Sequence, residues 1–187
     1  EANVFKLEKV TYNEIIDTIR KNDSSRLIYT IETKPEYGKY HWTGHRSCNI
    51  SMDPINALKH GNKCPKCKRD MTEGVEQRVE QLADRSIDSI PDTHSRYKYI
   101  LPLHELIATV IGLKNPLSKG VQTVYNILTN NLGTEYAIMM NTPYEDLVKV
   151  VDQKISQAII DVRKNMVTVI PGYDGVYGII GSLNQTK

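Results

Sequence analysis

Thirty residues, Tyr40 to Arg69, hold all three cysteines and three of the five histidines of this 187-residue chain. Cys64-Pro65-Lys66-Cys67 is a C-x-x-C turn, and His45-Arg46-Ser47-Cys48 repeats the same internal spacing fifteen residues before it. A two-residue gap lets both side chains of a turn point at one ion, and two such turns close a tetrahedron of sulfur and nitrogen at roughly 2.0–2.3 Å from zinc. The spacing therefore predicts a structural zinc on His45, Cys48, Cys64 and Cys67. His45 is preferred as the fourth ligand because it repeats the spacing, while His60 and His41 are also within reach. A thioredoxin-type redox pair would open a helix after a strand, whereas Lys68, Arg69 and Asp70 follow here. Disulfides would leave one of three cysteines over, and no secretory signal is seen. Four protein donors leave no open coordination position for catalysis, and the deaminase pattern H-x-E with a later P-C-x-x-C is absent.

Charge is distributed unevenly around this stretch. From Lys39 to Arg69 there are seven basic residues against one acid, Asp53, while the rest of the chain carries seventeen basic and twenty-one acidic residues. Lys63, Lys66, Lys68 and Arg69 crowd the C-x-x-C turn, which points to a polyanion contact; a solvated surface offsetting the thiolates is the other reading. A composition 40 % hydrophobic and 25 % charged is that of an ordinary globular protein. No apolar run approaches the eighteen or so residues of a membrane span, so a cytoplasmic location is expected.

Hydrophobic periodicity and caps predict the flanking elements. Thr11-Tyr12-Asn13-Glu14 is a capping box before a short amphipathic helix, and Leu27, Tyr29 and Ile31 alternate as in a strand. Asp53 is an N-cap with Pro54 at the first helical position, and Gly61 ends that two-turn helix. Val75, Val79 and Leu82 share one face of the next helix, and Ala83 to Arg96, with Pro91, reads as a loop. Tyr97–Leu101 reads as a strand. Helices follow over Leu103–Ile111 and from about Ser118 through Leu128, then a buried strand over Tyr136–Met140. Thr142-Pro143-Tyr144-Glu145 is read as a capping box opening a long helical region towards Lys164, and Val167–Ile170 closes the fold as a strand.

Pro171 to Gly178, P-G-Y-D-G-V-Y-G, spaces its glycines as neither the dinucleotide fingerprint nor the phosphate-binding P-loop does, so ATP hydrolysis has no support. Tyr173 and Tyr177 could stack a nucleobase while Asp174 hydrogen-bonds its edge. The plainer reading is a tight turn with two packed tyrosines.

The succession E-A-N-V-F, G-K-Y-H-W-T-G-H-R-S-C, C-P-K-C, G-V-E-Q-R-V-E-Q-L-A-D-R and I-P-G-Y-D-G-V-Y-G resembles the endonuclease Q-like family, in the region that follows its catalytic PHP domain. The resemblance spans nearly the whole chain. It implies a DNA repair nuclease that cuts beside deaminated bases such as uracil and hypoxanthine, with its catalytic metal ligands upstream of this chain. Glu1 stands where a methionine would open a protein, and a longer chain is expected before it. Lys68 departs from the family pattern, in which glycine often follows the second cysteine.

The expectation is an α+β chain. Residues 1–33 form a helix-strand lead, 34–72 a zinc-ribbon or knuckle-like module, and 73–187 a mainly helical domain with a few short strands. Its expected work is DNA engagement through Lys63, Lys66, Lys68 and Arg69, and recognition of a deaminated base through Tyr173, Asp174 and Tyr177. The upstream PHP domain would be its partner, and this chain alone would be inactive. The alternative is a structural or protein-binding zinc module of a helicase- or nuclease-associated protein.

Overall fold

The computed structural model describes residues 1–86, 89 and 96–181. Strand β1 (Ala2–Phe5), helix α1 (Tyr12–Arg20) and strand β2 (Leu27–Thr33) come first, followed by strands β3 (Thr43–His45) and β4 (Ile50–Met52). Helices α2 (Pro54–Lys59) and α3 (Val75–Leu82) precede strand β5 (Tyr97–Ile100). Helices α4 (Leu103–Ile111), α5 (Lys119–Leu132), α6 (Glu135–Met140), α7 (Tyr144–Leu147) and α8 (Gln153–Arg163) then lead to strands β6 (Val169–Ile170) and β7 (Ile179–Ile180). Among the described residues no helix is long and apolar enough to cross a membrane.

Two compact units divide the chain: residues 1–33 with 85–100, and residues 34–84 with 101–187. In the first, β2 is the central strand, antiparallel to β1 and parallel to β5. The Thr11 hydroxyl accepts the Glu14 amide and starts α1 as its sequence predicts, but the Glu14 carboxylate pairs with Arg26 instead of closing the capping box. Part of the predicted loop from Ala83 to Arg96, including Pro91, lies outside the described residues.

The second unit is built on Leu103, Leu106, Ile107, Leu128, Ile138, Met139, Leu147 and Ile159, all fully buried. Helix α4 packs against α5 and α8, and α6 lies against both of those. Three local expectations are corrected here. Residues 136–140 are helical and not the buried strand expected, because the Thr134 hydroxyl accepts the Ala137 amide and caps the turn; Ile138 and Met139 are buried and Tyr136 is exposed. The long helical region expected from residue 143 towards Lys164 is divided into two helices. Asp152 accepts the Lys154 amide at 2.7 Å and starts α8 afresh, and the Thr142 hydroxyl donates back to the Ala137 carbonyl instead of capping forward.

The third correction concerns α3, whose apolar residues Val75, Val79 and Leu82 are more than half exposed while Gln77 is fully buried. Gln77 Oε1 accepts the Thr43 hydroxyl at 2.6 Å and its Nε2 donates to Asn62 Oδ1 at 3.2 Å. A buried amide that is left unpaired costs about 1–3 kcal/mol, so these partners fix which face of the helix turns inward.

Candidate metal centre and its flanking loop

Local chemistry bends the chain from Thr43 to Arg69 into two tight turns. Strand β3 runs into a 3-10 turn at Arg46–Cys48, and Asn49 reverses direction at φ 52° to start β4. Asp53 then accepts the Asn56 amide and caps α2, with Pro54 at the first helical position and Gly61 at φ 59° just past its end, as the sequence predicts. At the second turn the Lys68 amide donates to the Cys64 carbonyl and the Cys64 amide to the Arg69 carbonyl, both at 2.8 Å. Lys68 holds φ 63°, the left-handed region that favours glycine. A lysine thus occupies the position where its knuckle needs a glycine-like backbone.

The two turns bring Nδ1 or Nε2 of His45 and the Sγ atoms of Cys48, Cys64 and Cys67 within 4.8 Å of one another, with His45 Nδ1 3.4 Å from Cys67 Sγ. His60 is exposed at the end of α2, and His41 is buried with Nε2 3.3 Å from Glu76 Oε2, so neither joins the cluster. Beneath it lie Ala57 and Met71, with Ile50 and Met52 packed alongside.

Three thiols this close cannot ionise independently. Burial and the neighbouring Cys67 and Cys64 push the Cys48 thiol up to about 11. For Cys64 burial acts the same way, but the Cys67 amide, the His45 side chain and the Lys66 amide outweigh it and bring the thiol down to about 6. Amides aimed at a sulfur stabilise thiolate, and a divalent cation would replace the protons that the cluster otherwise retains. The donor set fits a metal ion: three sulfurs and one imidazole, with every position of a tetrahedron supplied by protein.

The loop between β6 and β7 rests directly on this centre. Asp174 Oδ2 accepts the Arg46 amide at 2.6 Å and Oδ1 the Thr72 hydroxyl at 2.7 Å. The Tyr173 hydroxyl donates to Asn49 Oδ1 at 2.8 Å, and its ring lies so close to Gly44 that a Cβ there would come within 2.4 Å of it. Gly178 is pressed against the segment before β3: a Cβ would stand 2.3 Å from the Glu36 carbonyl oxygen. Burial opposes ionisation of Asp174, yet the Arg46 amide, the Thr72 hydroxyl and the positive charge of Arg46 hold its carboxyl below the usual range. Tyr177, in contrast, is 61 % exposed.

The basic residues divide in the same way. Lys63 pairs with Asp70 at 2.5 Å and Lys66 donates to the Cys48 carbonyl at 2.8 Å, while the side chains of Lys68 and Arg69 reach into solvent. Sequence reasoning did not single out Lys39, whose ammonium lies 5.5 Å from the centre of the Tyr40 ring and 5.8 Å from that of Tyr177. No sequence spacing links residues 39 and 177. Thr72 and Gln77, which tie the loop and α3 to the centre, were missed for the same reason.

Residues 102–166 match the family model of the MJ0043 C-terminal domain. The chain is 31 % identical over 169 residues to the uncharacterized protein MJ0043 of Methanocaldococcus jannaschii, covering 90 % of this chain and 21 % of that protein. It is 27 % identical over 181 residues to the uncharacterized protein YqxK of Bacillus subtilis, covering 96 % and 42 %. Among solved structures, the lesion-specific endonuclease PfuEndoQ from Pyrococcus furiosus matches with a TM-score of 0.82 and 32 % identity, over 95 % of this chain and 44 % of that one. Endonuclease Q in complex with a 27-mer duplex carrying an abasic lesion at the active site matches with a TM-score of 0.81 and 30 % identity, over 99 % and 48 %. The chain thus spans less than half the length of each of these relatives. In sequence and in fold, over nearly its whole length, the chain is similar to a part of endonuclease Q that is less than half of that protein.

Proposed function

We propose that this chain is the DNA-engaging and lesion-recognising part of a DNA repair endonuclease acting at deaminated bases, uracil and hypoxanthine among them. The hydrolase chemistry resides in a PHP catalytic domain outside the chain. The observation that carries this reading is the match over 95–99 % of the chain, at 30–32 % identity, to a lesion-specific endonuclease and to an endonuclease Q held on damaged duplex. The metal is zinc, and its role is structural, because His45, Cys48, Cys64 and Cys67 fill its coordination. Lys68 and Arg69, with Lys63 and Lys66 beside them, hold the phosphate backbone. In the Gly172–Gly178 loop, Tyr177 reads the displaced base, while Tyr173 and Asp174 keep the loop seated on the metal turn.

The test is a binding titration against uracil-containing and matched undamaged DNA at several salt concentrations. Removing Lys68 or Arg69 should weaken both DNAs alike and flatten the salt slope by about one unit each. Unchanged affinity and slope would overturn the assignment. The chain alone should show no nuclease, deaminase or ATPase activity, and lesion-dependent cleavage by the purified chain would refute the division of labour.

A second reading, a structural or partner-binding zinc module, draws on the internal bonds of Asp174, Tyr173, Lys63 and Lys66. It forecasts no salt-dependent DNA binding in the same titration.

A further inference from the structure

We infer that Lys39, Tyr40, Arg46 and Tyr177 form a stacking surface for unpaired DNA; this deepens the reading above and rests on it. Tyr40 and Tyr177 are 45 % and 61 % exposed, although each sits in a segment fixed by backbone hydrogen bonds. The Gly175 amide donates to the Lys39 carbonyl at 2.9 Å, and the Gly178 amide to the Tyr37 carbonyl at 3.0 Å, so residues 37–40 and 173–178 are one rigid patch. The Lys39 ammonium lies over both exposed rings, at 5.5 and 5.8 Å from their centres, and Tyr37 neighbours Tyr177 with ring centroids 6.5 Å apart. Arg46 borders the same point: a Cβ on Gly175 would lie 3.4 Å from Arg46 Nη1 and 3.8 Å from the Tyr40 hydroxyl oxygen. Asp174, the carboxylate within the patch, is engaged by the Arg46 amide and the Thr72 hydroxyl.

Two exposed rings and two cations on a rigid support match the chemistry of a single strand, with π-faces for bases and positive charge for the phosphates between them. A duplex offers only its phosphates, because its bases are already stacked on one another. The surface therefore favours a strand whose bases are unpaired, and its rings lie outside the set of lysines around the C-x-x-C turn.

The experiment uses the full chain and three probes: a fluorescent twenty-residue oligo-dT, its oligo-rU counterpart and an undamaged blunt duplex. Tyr177→Ala and Tyr40→Ala should each lower oligo-dT affinity by about 5- to 150-fold, the range for loss of one stacked base. Duplex affinity should change by less than about twofold. Tyr177→Phe, which keeps the ring, should retain oligo-dT affinity, and bound metal in every variant should match the parent. Unaltered oligo-dT affinity in both alanine variants, equal losses on strand and duplex, or ring dependence confined to oligo-rU would overturn the inference. If Lys68 and Arg69 variants weaken duplex binding while the tyrosine variants do nothing, only this surface is refuted. If the parent binds neither DNA, the DNA-engaging reading falls with it.

Discussion

Lys68 shows how a single residue carries both a backbone demand and a charge. Its φ of 63° belongs to glycine, and an L-residue held there costs of order 1 kcal/mol. Lys68→Gly should therefore keep the metal and raise the unfolding free energy by up to about 1 kcal/mol, while weakening DNA binding through loss of one cation. Denaturant titration of the metal-loaded chain measures the first effect, and a clear destabilisation would contradict it. Cys64 is different in kind, since its sulfur is buried and cannot be replaced from solvent. Cys64→Ser should lose stoichiometric zinc in metal analysis; retention of one zinc per chain would remove Cys64 from the ligand set. Spacing alone singled out the three cysteines and preferred His45 over His60 and His41, because ligands three positions apart in a tight turn are a local property, and the fold brings those four side chains together. It left Tyr173 and Asp174 open between base contact and turn, because their partners Asn49, Arg46 and Thr72 are more than a hundred residues away.

At the scale of elements, caps were more informative than apolar runs. Thr11 and Asp53 start the helices that their sequences announce, and both act within four residues. The run Tyr136–Met140 was read as a strand and is a helix, because five apolar residues have no resolvable period and the Thr134 cap decides for helix. In α3 the apolar stripe pointed the wrong way, since the buried bonds of Gln77 outweigh the exposure of Val75, Val79 and Leu82. Gln77→Ala should accordingly destabilise by about 1–3 kcal/mol, because the Thr43 hydroxyl and the Asn62 amide oxygen lose their partner. An unfolding free energy equal to the parent's would show that water replaces it. Helix α4 offers a pH test away from the metal. Partial burial raises the Glu105 carboxyl above its ordinary value, so the folded chain favours the protonated form. Stability from this group is present below the ordinary glutamate value and lost as pH rises through the folded one. Glu105→Gln should thus raise Tm at pH 7, and that advantage should fade as pH falls below about 4. A pH-independent difference would assign the effect to packing.

At the scale of the molecule, the second unit combines a part gathered around the four candidate metal donors with one that has its own apolar core. Among the described residues, the buried apolar ones around the centre are few, Ala57, Cys64 and Met71, whereas sixteen form the cluster that joins the helices. Chelation should therefore release hydrogen-exchange protection over residues 40–71 while α4, α5 and α8 stay protected, since metal binding supplies folding free energy only where its ligands lie. Equal loss of protection throughout would mean that the two parts unfold together. The sequence by itself determined the two ligand turns, the start of most helices and the α+β character, because turns, caps and periodic faces act over a few residues. Tertiary structure alone decided that Gln77 outranks an apolar stripe, that Asp174 is tied to the metal turn, and that Lys39 meets Tyr177. Each of these depends on segments far apart in the chain, and their pairing is fixed by packing and by the satisfaction of buried polar groups, which no local pattern encodes.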